Sequence, residues 1–262
     1  MQKILIVGGA GYIGGHMTDL LKSLNYEVCV YDSLVYESRY LKDVYFINGD
    51  IRDKSKLRRV LPKYDVVIWL AALVGDGACA VNPILTNEIN YETVKWLVDN
   101  YANKIIFTST CSVYGINNSL INEDSATNPQ SVYAETKLKA EQYIIDNQND
   151  YIIFRLGTLF GLGDYFSRVR LDLVVNILSK KATMGETLNV FGGEQWRPLL
   201  HVKDVANAVI FSLKNDLKGL YNLSYNNYQI KEIANEIKEI IPKTEINYSE
   251  KQFEDLRNYK VN

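Results

Sequence analysis

The chain has 262 residues, 47% of them apolar and 23% charged, and a formal net charge of −2. That balance describes a globular protein of one large domain or two modest ones, and it argues against a nucleic-acid surface, which needs clustered Lys and Arg. Apolar runs such as residues 4–7 and 66–72 are too short to span a bilayer, and no basic–apolar leader precedes the first structured segment, so neither membrane nor secretion is expected.

From residue 3 onward, short β-branched runs alternate with stretches of helix length. The pattern predicts a strand over 3–7, a helix over 12–24, and strands over 27–31 and 44–47. A helix over 54–61, a strand over 66–70, a helix over 85–101 and a strand over 104–108 come next. Residues 114–130, rich in Asn, Ser and Thr, read as a long loop, ahead of a helix over 132–146 and a strand over 151–155. Strands that are apolar throughout and joined by helices imply a parallel sheet covered on both faces, a doubly wound α/β fold. Past residue 160 the rhythm loosens. Helices are expected over 171–181, 202–214 and 230–241, with short strands over 188–191 and 220–223. A nucleotide-binding domain over 1–163 and a smaller mixed α/β lobe over 164–262 fit this, the chain returning to the first domain around 201–215.

The first strand runs directly into Gly8-Gly9-Ala10-Gly11-Tyr12-Ile13-Gly14, where a helix is expected to start. Gly8 suits a tight turn, Gly11 lets a pyrophosphate approach the backbone, and Gly14 lets the helix pack on the strand. The helix N-terminus then offers free N–H groups and partial positive charge to the phosphates. Asp32 closes the second strand about twenty residues on, where a carboxylate accepts both ribose hydroxyls of adenosine and repels a 2′-phosphate. The expected cofactor is therefore NAD. Asp50-Ile51, after the third strand, can take the adenine amino group and pack on its face, although a helix cap would read the same. The three cysteines, Cys29, Cys79 and Cys111, are odd in number and far apart, as reduced thiols of a cytoplasmic protein are. With only His16 and His201 present, no metal site is expected.

Tyr133 and Lys137 lie four apart on a predicted helix, so both side chains share one face. An ammonium near a phenol lowers its pKa and equips it as a general base on a substrate hydroxyl. With 19 tyrosines in the chain such a spacing recurs, and Tyr91 with Lys95 is a second instance, read here as an outward helical face. Context separates the two. Tyr133 opens the helix that comes after the Thr108-Ser109-Thr110 strand end, at the carboxyl edge where α/β sites sit, and Thr110 can donate a hydrogen bond to the reacting oxygen.

These segments resemble a family. Gly8–Gly14, Asp32, Asp50-Ile51, Leu70-Ala71-Ala72, Asn90, TSTCSVYG over 108–115, YAETK over 133–137 and RPLLHVKDVA over 197–206 are similar to the extended short-chain dehydrogenase/reductases. Within them the match is to the NAD-dependent nucleotide-sugar epimerase/dehydratase group (UDP-glucose 4-epimerase-like). The resemblance implies a Rossmann domain holding NAD, with Tyr12, Ile13, Leu70, Ala71, Ala72 and Asn90 beside it, and a second lobe holding a nucleoside-diphosphate sugar. Arg197 matches the family's pyrophosphate-binding arginine, Arg257 resembles a second one, and Thr158 stands where many relatives have a substrate-binding Asn. A homodimer formed through a helix bundle is also implied. Relatives that eliminate water carry an Asp-Glu pair directly after the Thr, and those that decarboxylate keep the Glu. Here Cys111 and Ser112 stand there, neither suited to moving protons at carbon, and Cys111 reads as a packing residue. The expectation is a C4 epimerase working through a transient 4-keto sugar. The rivals are a reductase of a nucleotide-linked 4-keto sugar, which would favour NADPH, and a silent NAD-binding protein on the same fold.

Overall fold

A strand covered by helices on both faces must be apolar at consecutive positions, because alternate side chains point to opposite sides. A computed structural model of the chain describes residues 2–36, 38–167, 169–249 and 257–262. In chain order it forms β1 (Lys3–Val7), α1 (Gly14–Ser23), β2 (Glu27–Asp32), β3 (Tyr45–Asn48), α2 (Lys54–Val60), β4 (Val66–Trp69), α3 (Asp76–Val81) and α4 (Pro83–Asn87). Next come α5 (Thr93–Asn100), β5 (Lys104–Thr110), β6 (Ile116–Ile121), α6 (Val132–Asn147), β7 (Tyr151–Leu156), β8 (Thr158–Phe160), α7 (Val174–Thr183) and β9 (Leu188–Phe191). The remainder is β10 (Trp196–His201), α8 (Val202–Lys214), β11 (Gly219–Leu223), β12 (Asn226–Gln229), α9 (Ile230–Ile240), β13 (Ile246–Ser249) and β14 (Asn258–Val261).

Seven strands form one parallel sheet in the order β11-β7-β5-β4-β1-β2-β3. Strand order reverses between β1 and β4, which opens a crevice outside their carboxyl ends. One face buries Ile4, Ile6, Val30 and Ile68 against Met17 and Leu21 of α1 and Val205 and Val209 of α8. The other buries Leu5, Val7, Val67, Trp69 and Phe107 against Leu57, Leu97, Ala140 and Ile144 of α2, α5 and α6. Each such side chain removed from water contributes about 1.5–3 kcal/mol. The doubly wound fold is as the apolar pattern predicts.

The smaller mixed α/β part holds a three-stranded sheet, β12-β10-β8, and the parallel pair β13-β9. Its core gathers Leu178, Leu188, Val190, Leu199, Ile233 and Ile237. Three local expectations differ from what forms. The segment 114–130 is not all loop: β6 lies inside it and pairs in parallel with β14, from the far end of the chain. The helix expected over 85–101 is α4 and α5 joined by a π-helical turn at Glu88–Glu92. And the strand expected over 220–223 in the second lobe is β11, which extends the main sheet beside β7. No helix among the described residues is long and apolar enough to cross a membrane.

Candidate active site

β1 delivers the chain into a loop shaped by glycines. Gly8 sits at φ +85, and a Cβ there would lie 2.5 Å from the Ala71 amide nitrogen. A Cβ on Gly14 would meet the Gly9 backbone at 2.5 Å, while one on Gly9 would strike Val30 and Ile6. The packing against the strands that the sequence assigns to Gly14 is therefore made by Gly9, and Gly14 closes the loop on itself. A Cβ on Gly11 would touch only the Gly8 carbonyl, at 3.3 Å, so that side of the loop is open. α1 begins at Gly14 with no side-chain cap and no acidic residue in its first turn. Asp32, at the end of β2, accepts from the amides of Ala10 at 3.0 Å and Leu34 at 2.8 Å, so each oxygen keeps lone-pair capacity beside the loop. Open loop, uncapped helix end and carboxylate together fit the pyrophosphate and adenosine ribose of NAD.

Other expected cofactor residues are placed differently. The Asp50 carboxylate is taken by Arg52, whose Nη2 donates at 2.6 Å and whose Nε donates to both oxygens, and this pairing holds the carboxyl below its usual range. An adenine amino group would have to compete with that bidentate pair. The cap of α2 is Asp53 instead. Ile51 packs at the margin of the core. Leu70 and Ala71 both donate their amides to the Val7 carbonyl, turning the chain toward the crevice with Ala72 behind them. Asn90 is fully buried in the π-helical turn, and its amide is spent on Leu73: Oδ1 accepts from the Leu73 N–H at 2.8 Å and Nδ2 donates to the Leu73 carbonyl at 3.0 Å. It fixes the 70–74 segment rather than presenting a free amide. Tyr12 is buried, with its hydroxyl donated to the Gly161 carbonyl at 2.5 Å, and Ile13 packs into the core.

Thr110 ends β5, buried, its Oγ1 accepting from the Ser112 amide at 3.1 Å, which leaves its own O–H to donate. Cys111 is wholly buried, its thiol on the Arg155 carbonyl at 3.2 Å and pushed up in pKa by desolvation, as an inert packing group. Tyr133 lies half-buried in the first turn of α6, whose cap Ser131 also donates to Asp76 at 2.6 Å. Burial pushes the Tyr133 phenol up; Arg170 pulls it down, Cys79 and Asp76 push it up, and Arg257 pulls it down again. The spacing on α6 predicts the Lys137 ammonium beside the phenol. It is buried over the Phe107 ring, 4.1 Å from the centroid, and makes no hydrogen bond or ion pair among the described residues. Burial draws its pKa down to about 7 against the opposing pull of Glu141 and Cys79. The α6 face that carries Lys137 lies against β5, which sets its cation over an aromatic face. Tyr91 and Lys95 instead pack on Tyr143.

The arginines converge from the other side. Arg197 of β10 is buried and donates through Nη1 to the carbonyls of Trp196 at 2.8 Å and Arg257 at 2.6 Å. Arg257 reaches Ser112 Oγ at 3.0 Å and Asp76 Oδ2 at 3.2 Å. Thr158, on β8, is half-buried opposite Leu199. His201 caps α8 through Nδ1. Sequence reasoning missed Arg170, which stands 5.8 Å over the Tyr12 ring and pairs with Asp172 at 2.7 Å through two hydrogen bonds. It also missed Asp76, the carboxylate between Ser131 and Arg257. The only signal for either was a charged residue in a segment with no helical or strand period.

The model of the NAD dependent epimerase/dehydratase family matches residues 4–226. A UDP-glucose 4-epimerase of Halalkalibacterium halodurans is 30% identical over 88% of this chain and 78% of its own. A dTDP-D-glucose 4,6-dehydratase of Dictyostelium discoideum is 30% identical over 85% of this chain and 58% of its own. Among solved structures, a UDP-glucose 4-epimerase of Thermotoga maritima with UDP-glucose superposes with a TM-score of 0.86 at 24% identity, over 99% of this chain and 89% of the other, which establishes a shared fold. The chain is a member of the NAD-dependent epimerase/dehydratase family, an enzyme of the extended short-chain dehydrogenase/reductase type.

Proposed function

We propose that the chain is an NAD-dependent epimerase of a nucleotide-linked sugar, inverting C4 through a transient 4-keto sugar. Arg197 and Arg257 grip the nucleoside diphosphate, and Thr158 lies beside the sugar. Thr110 donates its O–H to the reacting oxygen, while Tyr133 takes the proton of the C4 hydroxyl and later returns it. Arg170 and Arg257 favour the ionised phenol, and Lys137 lies one helical turn along the same face of α6. Gly8, Gly11, Gly14 and Asp32 would hold NAD at the glycine loop, and the cofactor would supply hydride acceptance and return at the carbon.

The observation that carries this reading is the state of the two residues after Thr110. Cys111 is sealed in the core on a backbone carbonyl, and Ser112 is engaged by Arg257, so those two positions offer no carboxylate pair to move protons at carbon. Elimination and decarboxylation lose their support, and oxidation with subsequent re-reduction at one carbinol remains. A helix-bundle homodimer and a cytoplasmic location belong to the same proposal; three buried free thiols favour a reducing compartment.

The test starts with thermal stabilisation by UDP-, GDP-, CDP- and dTDP-sugars, since a ligand bound only by the native state raises its melting temperature. Nuclear magnetic resonance of the stabilising ligand then monitors C4. The expected result is the C4 epimer, formed with no net consumption of reduced cofactor by protein that purifies with NAD bound. Stoichiometric oxidation of NADPH on a 4-keto sugar, with no epimer formed, would overturn it in favour of a reductase.

A further inference from the structure

Behind the reacting face lies a buried charged cluster with no part in the chemistry above. Glu141 is 1% exposed on α6, one helical turn beyond Lys137 and two beyond Tyr133, so the three share one face. Arg155 of β7, also buried, clasps its carboxylate with Nη2 on Oε2 at 2.7 Å and Nε on both oxygens. Ser109 of β5, next to Thr110, donates to Oε1. Arg155 is in turn held by the Tyr114 hydroxyl at 2.8 Å, which reaches Asn222 of β11 at 2.8 Å.

A buried ion pair is weak as a source of stability, because desolvating two charges offsets their attraction, and apolar replacements of similar volume do as well. Arg155 and Ser109 together hold the Glu141 carboxylate in one fixed place in the interior. We propose that Glu141 is a positioning residue, a fixed anion one turn behind Lys137 that holds a positive charge on the α6 face shared with Tyr133. The inference rests on the epimerase reading for its consequence in turnover, and on the geometry of α6, β5 and β7 for its electrostatics.

Burial alone would strip Lys137 of its proton, and Glu141 is the strongest of the charges opposing that. The other groups around Lys137 are the Phe107 ring of β5 and the Cys79 thiol of α3, itself pushed up in pKa to about 11 by burial. Arg155 stands beyond Glu141, Cys111 bonds to the Arg155 carbonyl, and Tyr91, Lys95 and Asp99 gather around Tyr143 at the far end of α6. Glu141 is thus the carboxylate that offsets the burial of this amine.

The test compares wild type with E141Q and with E141Q/R155Q, the double variant sparing the fold an unpaired buried guanidinium. The first readout is kcat against pH with whichever nucleotide sugar turns over. E141Q is expected to move the alkaline limb to lower pH by about one unit, a tenfold change in the proton affinity of Lys137, and E141Q/R155Q to move it in the same direction by less, since it removes the paired cation too, with KM for the sugar nucleotide little changed in either. E141D, which keeps the charge, is expected to restore most of the wild-type limb. A second readout needs no turnover: the melting-temperature difference between each protein and its K137M derivative, measured against pH, isolates the titration of Lys137. That difference should begin to shrink at lower pH without Glu141. Coincident limbs and coincident titrations, with only stability or overall rate reduced, would overturn the proposal and leave Glu141 a structural partner of Arg155. A wild type inactive on every nucleotide sugar would count against the epimerase reading, while the melting series still decides the role of Glu141.

Discussion

Arg197 holds Arg257 by its main chain, the guanidinium of the first donating to the carbonyl of the second at 2.6 Å. Two cations that lie 60 residues apart in sequence are thereby one unit, since anything that removes Arg197 also loosens the backbone from which Arg257 reaches Ser112 and Asp76.

Arg197→Ala is therefore expected to raise KM for the nucleotide sugar by about ten- to a hundredfold, the worth of a charge-assisted hydrogen bond, with a smaller effect on kcat. Arg257→Ala should act in the same direction, and the double variant should cost less than the product of the two single effects. Independent, multiplying effects in steady-state kinetics would mean that the carbonyl contact does not couple them.

Tyr133→Phe removes the phenolic proton site and keeps the ring. Turnover should fall by about a thousandfold, within the range of general acid–base catalysis, while the dissociation constant of NAD changes little. Unchanged turnover would remove the general-base role.

Asp32→Ala takes away a carboxylate that meets both the Ala10 and the Leu34 amides. Affinity for NAD should fall and affinity for NADP should fall less, so their ratio shifts toward NADP by about tenfold. Fluorescence titration with both dinucleotides measures it, and an unmoved ratio would leave the preference for NAD without this explanation.

Lys137 gives a pH signature. Its folded pKa lies near 7 against an ordinary value of 10.5, so between those limits the unfolded chain binds more protons than the folded one. Stability contributed by this group then rises with pH across that window. Replacing it by Met should abolish most turnover yet raise the melting temperature by several degrees at about pH 7, with the gain fading as the pH approaches about 10. Calorimetry of both proteins over this range is the check, and a gain independent of pH would contradict the burial argument.

The strands of the main sheet were readable because burial on both faces leaves a continuous apolar run, as in Ile4–Ile6 and Val66–Ile68, and that needs no knowledge of the partner strand. The glycine loop was readable for a similar reason, since a backbone that must turn at φ +85 beside Ala71 admits little else. β6 was not: its sequence, Ile-Asn-Asn-Ser-Leu-Ile, is polar in the middle, and it forms a strand through β14, more than a hundred residues away. Side-chain commitments were equally hidden. Arg52 occupies Asp50 and the Leu73 backbone occupies Asn90, and no spacing rule announces that. Lys137 was legible as a residue and not as a contact, because the position of its ammonium over Phe107 depends on how α6 lies against β5.

The edge of the main sheet carries a consequence for synthesis. β7 is complete by residue 156, yet its outer neighbour β11 arrives only at Gly219. A nascent or truncated chain ending between them would expose an apolar strand with its row of N–H and C=O groups unpaired, a template for joining another copy. Such fragments should aggregate, so a cut near residue 163 is expected to yield no freestanding module.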